Sequence, residues 1–334
     1  MTARTPVDQD ARDQVRTDHS HTLFVEAAAG TGKTQALVDR AVSLVARGAP
    51  LRSIAAITFT EAAAAELRDR IRDALEEAAA GTDPYVTAPE EQTRCRAALA
   101  DLDDAALTTL HGFAQRILAD HPLEAGLPPG FEVLDEVAAG VRFEQRWSEF
   151  VQLLLDDEAL SDLVLQGFAL GLAPDVLRQV ARTLRDNYDR VDRPTPARET
   201  LPPLDLRPFL EAVDVALGMA AECRDPDDKL FQHLQLVAVF RTELDAAADD
   251  LDRLDFLRNW SKLKSSLGRA ANWSSVNDVR DRLRGAQDAF DELLAGRRRL
   301  VVGVLLDRVV DWAHEQAAER ARAGEVEFHD LLVL

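Results

Sequence analysis

The sequence predicts an α/β fold at the start of the chain, with a parallel sheet and flanking helices, and then a long all-α region. Over residues 1–140, short apolar segments alternate with segments of helical periodicity, and strands that alternate with helices pair in parallel through crossover connections. Beyond about residue 140, apolar side chains such as Phe143, Trp147 and Phe150 recur at helical spacing. A chain of 334 residues is long enough for two domains.

Four short strands are expected in the first region. They cover residues 23–25, residues 54–59, the segment before His111, and residues 131–134. An amphipathic helix follows the second strand, because Leu67, Ile71 and Leu75 fall on one face. A further helix is expected to follow His111.

The change of periodicity sets the predicted domain boundaries. We expect a first domain at residues 1–140 and a helical domain at residues 141–322. Residues 323–334 begin a new element, which we interpret as the start of a return into the first domain.

Composition limits the classes of protein that fit. The chain is 46% hydrophobic and 29% charged, which is typical of a globular protein, and its net charge is −20. That charge argues against a broadly basic nucleic-acid-binding surface, although a local basic groove remains compatible with it. Two widely separated cysteines, Cys95 and Cys223, do not form a zinc framework and are expected to be free thiols. With neither a leader nor a long apolar run, we expect a cytoplasmic protein without a membrane partner.

A phosphate-binding loop is predicted directly after the first strand. Gly30 and Gly32 allow the backbone to curl so that its N–H groups face phosphate oxygens, and a helix start adds positive potential. Lys33 is expected to neutralise the β- and γ-phosphates, and the Thr34 hydroxyl to ligate magnesium. The alternative is a turn of small residues into a helix. The predicted ATP and Mg²⁺ ligands are Ala27, Ala28, Ala29, Gly30, Thr31, Gly32, Lys33 and Thr34.

Two further segments distinguish among nucleotide-binding proteins. The first, Thr58-Phe59-Thr60, ends the second strand and runs into Glu61-Ala62-Ala63. The second, Thr109-Leu110-His111-Gly112-Phe113, lies at the next strand-to-helix corner.

In order and approximate spacing, these three segments resemble the motifs of superfamily-one DNA helicases of the UvrD, RecB and AddA type. The resemblance covers residues 8–135 and resumes at residues 324–334, where Phe328-His329-Asp330-Leu331-Leu332 resembles the family's F-x-D-L-L segment. It implies a RecA-like P-loop NTPase domain that carries a large all-α inserted domain. It also implies an ATP-dependent 3′-to-5′ DNA translocase of repair or recombination, located in the cytoplasm with the nucleoid.

The resemblance assigns contacts with single-stranded DNA to six residues. Hydroxyls and helix-start N–H groups can bind phosphates, and aromatic rings can pack on sugars or bases. Glu61 departs from a common Asn-Lys pattern, which removes a cation, and His111 could equally be a structural hydrogen-bonding residue. The six residues are Thr58, Phe59, Thr60, Thr109, His111 and Phe113.

Two further assignments have less support from the sequence. Gln9 resembles an upstream glutamine that reads adenine, although a solvated helix residue is an equal alternative. Arg40 resembles an arginine that stacks on adenine, and its alternative is a surface arginine. Arg258, Trp260, Lys262 and Trp273 contribute to a basic-aromatic cluster, which we interpret as a solvated loop with inward-packed tryptophans. We interpret residues 297–299, three arginines, as a helix-surface run.

The acidic pair Asp135-Glu136 follows an apolar strand and resembles a Walker B motif, but we interpret it as a decoy. In the family, the segment D-E-F-Q-D comes after the F-x-D-L-L helix, inside which this sequence stops. We therefore expect a truncated helicase that binds nucleotide, and weakly single-stranded or junction DNA, without efficient hydrolysis. Its expected partner is the missing second RecA-like domain or helicase remainder. The alternatives are a non-catalytic DNA- or partner-binding fragment and an unrelated P-loop enzyme such as a kinase, which the two later segments disfavour.

Overall fold

The structure is a computed structural model that describes residues 8–28, 30–194, 201–260 and 263–334. The chain divides into two compact units. The first unit consists of Met1–Phe131, Asp330–Leu332 and Leu334, and the second consists of Glu132–His329 and Val333.

The first unit combines five helices with a two-stranded parallel sheet among the residues described. Its strands pair from Ala55 opposite Ala106 to Thr58 opposite Thr109, which confirms the parallel pairing predicted from the sequence. The elements are α1 (Gln9–Thr17), α2 (Lys33–Ala46), β1 (Ala55–Thr58), α3 (Glu61–Ala80), α4 (Pro89–Ala98), β2 (Ala106–Thr109) and α5 (Leu110–Asp120).

The core of this unit forms where α2, α3 and α4 pack together. The predicted apolar face of α3 is confirmed, because Leu67, Ile71 and Leu75 are all buried there. They meet Val38 and Val42 of α2. The packing fixes the beginnings of α2 and α3, the helices that follow the phosphate loop and β1.

The prediction of a buried strand at residues 23–25 was wrong. The segment has no strand pairing with any described residue, and Phe24 is 93% exposed. A strand is held by hydrogen bonds to a neighbour, and β1 and β2 bond to each other. Apolar composition alone therefore predicted a strand for a segment that has no described partner.

The second unit is mainly helical. Its two short strands pair in parallel, with Glu132 opposite Glu325 and Val133 opposite Val326. The 48-residue helix α12 is about 70 Å long at 1.5 Å per residue and ends at Gly324, which takes a φ of 71°. The elements are β3 (Glu132–Val133), α6 (Glu136–Asp156), α7 (Glu158–Ala169), α8 (Pro174–Arg185), α9 (Arg207–Gly218), α10 (Lys229–Asp245), α11 (Asp250–Asn259), α12 (Val276–Ala323) and β4 (Glu325–Val326). A short helix, α13, follows at Asp330–Val333.

Aromatic side chains fill much of the second core. Phe209 lies 5.5 Å from Phe290 between ring centroids, and Trp147 lies 5.5 Å from Trp312. Trp273 is also buried, as the sequence predicted for the tryptophans of the basic-aromatic cluster. Lys262 of that cluster lies outside the described residues.

The interpretation of residues 297–299 as a surface run was wrong for Arg297. Its side chain is buried, donates to Gln166 Oε1 at 2.9 Å and to the Pro202 carbonyl, and lies 3.3 Å from Asp250 Oδ2. Burial lowers the pKa of the Arg297 guanidinium. A buried cation needs such partners, and they come from distant parts of the sequence, so a run of three arginines gives no sign of them.

Cys95 and Cys223 are free thiols, as expected. Within the described ranges, no single helix is long and apolar enough to cross a membrane. One pair, α7 with α8, passes that test on length and composition only when both helices are taken together across a 112° bend.

Candidate functional site

The phosphate loop turns at two glycines before α2 begins. Gly30 has a φ of 78° and Gly32 a φ of 92°, both in the left-handed region that a side chain disfavours. Gly32 also precedes the first residue of α2. These two positions need glycine for the backbone path itself, which agrees with the loop predicted from the sequence. Ala29, also predicted to bind nucleotide, lies outside the described residues.

Lys33 folds back over the loop. Its Nζ donates to the Ala27 carbonyl at 2.5 Å and to the Ala28 carbonyl at 2.9 Å. The Thr31 hydroxyl donates to the same Ala28 carbonyl at 2.7 Å. The ammonium group is thus positioned by loop carbonyls that it can exchange for phosphate oxygens.

The start of α2 presents backbone donors, because Gly32 has no side chain to cap it. The helix begins with Lys33 and continues with Thr34, so the cation and the hydroxyl lie in its first turn. N–H groups, a cation and a hydroxyl are the donor set that a polyphosphate with a divalent cation requires. The residues present therefore fit a magnesium-bound nucleotide.

The two weaker nucleotide assignments occupy defined positions. Gln9 begins α1, and its Nε2 donates to Asp13 Oδ1 at 2.9 Å. Arg40 lies in α2 and donates from Nη1 to the carbonyls of Val15 and Asp18, at 2.5 and 2.8 Å. Arg40 therefore holds the end of α1, and the assignment of both residues to adenine stays a prediction.

Both predicted DNA-contacting segments lie at one edge of the β1–β2 sheet. Thr58 and Thr109 are the last residues of their strands and lie opposite each other in the parallel register. The chain continues from Thr58 to Phe59, whose side chain is 96% exposed. Thr60 then caps α3 by accepting from the Ala63 N–H at 3.2 Å. Segments about 50 residues apart in sequence are thus brought side by side.

A hydrogen-bonded bridge joins the two segments. The Thr109 hydroxyl accepts from the Gly112 N–H at 3.1 Å and donates to Glu61 Oε1 at 3.0 Å. Thr109 is only 6% exposed, so this hydroxyl orients the corner between β2 and α5. Glu61, noted in the sequence only as the loss of a cation, is the residue that links the two corners.

Gly112 is required at this corner by close approach. A Cβ placed on it would lie 2.4 Å from Thr108 Oγ1, far inside van der Waals contact. The following Phe113 is half-buried, as is His111. Burial lowers the pKa of His111, so its imidazole is neutral over a wider pH range than usual.

Comparison with known proteins decides the family. The UvrD/REP helicase N-terminal domain matches residues 7–244, more than half of the chain. The chain belongs to the UvrD/REP helicase family. The resemblance identified from the sequence is thereby confirmed, and membership implies a P-loop NTPase fold for this UvrD/REP helicase domain.

Relatives of the UvrD/REP helicase domain carry the name of the ATP-dependent helicase/nuclease AddA. The one from Desulforamulus reducens is 27% identical over 305 residues, which cover 81% of this chain and 24% of that protein. The one from Ligilactobacillus salivarius is 27% identical over 379 residues, covering 98% of this chain and 29% of that protein. A Clostridium perfringens relative is 33% identical over 147 residues, covering 42% of this chain and 11% of that protein. The chain therefore spans less than a third of the length of these relatives.

In this UvrD/REP helicase domain, Asp135 caps a helix. Its Oδ1 accepts from the Ala138 N–H at 2.7 Å at the start of α6, and Glu136 follows in the first turn. An acidic N-cap is a common structural use of aspartate. The geometry agrees with interpreting this pair as a decoy.

Proposed function

We propose that this chain is the N-terminal, ATP-binding part of an ATP-dependent 3′-to-5′ DNA helicase or translocase that acts in DNA repair or recombination. The observation that carries the proposal is the register of β1 and β2, which puts Thr58 opposite Thr109. Both segments that resemble helicase DNA-contact motifs therefore leave the same sheet edge. The names of the relatives support an ATP-dependent helicase.

Nucleotide binding is proposed at the phosphate loop. The N–H groups at the start of α2 and the Lys33 ammonium would bind the β- and γ-phosphates, and the Thr34 hydroxyl would hold Mg²⁺. When bound, the magnesium ion supplies charge neutralisation at the phosphates. Arg40 and Gln9 are proposed to lie on the adenine side.

Single-stranded DNA is proposed to bind at the edge formed by Thr58–Thr60 and Thr109–Phe113. The exposed ring of Phe59 offers a face on which a base or sugar can stack. Because Glu61 lies between the two corners and the chain carries a net charge of −20, we expect weak and salt-sensitive binding. Junction DNA and the remainder of a helicase, including a second RecA-like domain, are the proposed partners.

The proposed domain plan follows the family. Residues 1–140 would form the first RecA-like domain, residues 141–322 the inserted helical domain, and residues 323–334 the return. A cytoplasmic, nucleoid-associated location follows from the proposed DNA substrate.

DNA binding is testable by fluorescence anisotropy with a labelled oligothymidine at low and moderate salt. Changing Phe59, Thr60 and His111 together to alanine is expected to abolish binding. Phe24→Ala is the matched control, because Phe24 is also more than 90% exposed but lies outside the edge. Binding that survives the triple change would exclude this edge as the DNA site.

Hydrolysis by the 334-residue polypeptide is expected to stay near background with saturating single-stranded DNA. Phosphoryl transfer requires a magnesium-binding carboxylate and an arginine finger, the latter worth roughly three to five orders of magnitude in rate. Asp135 is engaged as a helix cap. DNA-stimulated turnover that Asp135→Ala or Glu136→Ala removes would contradict the decoy interpretation.

A further inference from the structure

Arg12 contacts the phosphate loop although it belongs to no part of the loop motif. It lies in α1, and its Nη2 donates to the Thr31 carbonyl at 2.8 Å. The same guanidinium lies 3.0 Å from Asp8 Oδ2, one helical turn earlier. Arg40 holds the end of α1 through the carbonyls of Val15 and Asp18, so Arg12 projects from an anchored helix.

The contact fixes the direction of one peptide group in the loop. A trans peptide is planar, so its C=O and N–H point in opposite directions. With the Thr31 carbonyl held by Arg12, the Gly32 N–H must point away from the guanidinium. No described residue accepts a hydrogen bond from that N–H, which lies immediately before the first turn of α2.

Gly32 and Arg12 are also packed closely. A Cβ on Gly32 would lie 3.1 Å from Arg12 Nη1, and the φ of 92° disfavours a side chain there as well. The guanidinium therefore supports the outer side of the turn. Asp8 raises the pKa of Arg12 through a hydrogen bond and its charge, so the support remains cationic at all physiological pH values.

We propose that Arg12 is a positioning residue that orients the Thr31–Gly32 peptide so that the Gly32 N–H binds the polyphosphate of a nucleotide. This inference rests on the proposed nucleotide-binding function. It assigns Arg12 to the phosphate chain, so that its effect does not depend on the base.

The test compares two probes by isothermal titration calorimetry on the full chain: Mg·ATP and Mg·tripolyphosphate, which has no base. Arg12→Ala is expected to weaken both by about tenfold, the usual effect of losing one charge-assisted hydrogen bond at a partly exposed site. Arg12→Lys retains one donor and is expected to recover part of the affinity for both probes. Arg47→Ala removes an exposed arginine just after α2 and is expected to leave both affinities unchanged.

A purely structural role is separated by thermal unfolding. The ligand-free melting temperature of Arg12→Ala is expected to match that of the unaltered chain, while the shift caused by Mg·tripolyphosphate shrinks. If Arg12→Ala lowers the ligand-free melting temperature, the proposal requires Arg12→Lys to restore it and still bind tripolyphosphate more weakly than the unaltered chain.

Three outcomes would overturn the inference. They are unchanged affinity for both probes, weaker ATP binding with unchanged tripolyphosphate binding, and Arg12→Lys binding at full strength. Lys33→Ala serves as the reference, because it must weaken both probes if the loop binds phosphate at all. Failure of that reference contradicts the proposed function, whereas its success together with an unaffected Arg12→Ala contradicts only the role of Arg12.

Discussion

The two compact units bury different kinds of side chain. Among the described residues, the core of the first unit consists of aliphatic and other small side chains without an aromatic ring. The core of the second contains Phe209, Phe240 and Trp312 among several buried aromatics. The first unit instead leaves Phe24 and Phe59 almost fully exposed. Exposed large apolar side chains commonly mark binding surfaces, so aromatic residues stabilise the core in one unit and are available for ligands in the other.

The beginnings of two helices show the same contrast. Lys33 begins α2 after Gly32, which offers no side-chain cap. Lys229 begins α10 after Asp228, whose carboxylate accepts from the Leu230 N–H at 2.9 Å. The second helix start is closed by its own aspartate, whereas the first keeps its donors for an anion.

The largest expected effect is on the aromatic core of the second unit. Phe209→Ala removes a ring that is 1% exposed, and the resulting cavity is expected to lower the free energy of unfolding by about 3–5 kcal/mol. Urea unfolding followed by tryptophan fluorescence measures this, because the four tryptophans of the chain, at positions 147, 260, 273 and 312, all lie in the second unit. Leu236→Ala, at an exposed position of α10, should cost no more than about 0.5 kcal/mol.

A pair of helical glycines extends the comparison to both units. Gly112→Ala in α5 forces a Cβ towards Thr108 Oγ1 and should destabilise the first unit by about 1–3 kcal/mol. Gly140→Ala in α6 meets open space and should stabilise that helix by up to about 1 kcal/mol. Hydrogen exchange read peptide by peptide reports on each unit separately. Equal protection of α5 in both variants would refute the close approach at Gly112.

The capping aspartate of the second unit should give a pH dependence. Burial opposes the ionisation of Asp228, but N–H donors from Arg269 and Leu230 outweigh it and hold its pKa at about 2, below the ordinary 3.8. A lowered pKa stabilises the fold above pH 4, and that contribution is lost as the pH falls through 2. Asp228→Asn should therefore cost about 2 kcal/mol at pH 5, and the difference from the unaltered chain should shrink towards pH 2. A difference that is constant from pH 5 to 2 would contradict this role.

The smallest expected effect on stability is at Phe59. Because the ring is 96% exposed, Phe59→Ala should change the free energy of unfolding of the first unit by less than about 0.5 kcal/mol. Hydrogen exchange of peptides from α3 and β2 measures this. A large loss of protection would show that the ring packs within the unit, and would remove the reason for assigning it to DNA.

The accuracy of sequence-based inference differed between the two units for physical reasons. The loop at Gly30 and Gly32 and the helix face at Leu67 follow from local backbone and periodicity rules, and both were predicted correctly. The strand at residues 23–25 was predicted wrongly because its partner could not be inferred from composition. The buried ion pair of Arg297 and the contacts of Arg12 and Glu61 depend on residues 19 to 131 positions away. Such contacts are determined by tertiary packing, which local patterns do not encode.

The central claim is that the first unit binds nucleotide through the uncapped start of α2. Titration calorimetry with Mg·ATP on the unaltered chain, Lys33→Ala and Lys229→Ala tests it directly, because both lysines are exposed and each begins a helix. We expect Lys33→Ala to weaken binding by about tenfold or more, the effect of losing a cation–phosphate hydrogen bond, and Lys229→Ala to bind like the unaltered chain. Equal affinities for all three proteins would contradict the assignment of the phosphate loop.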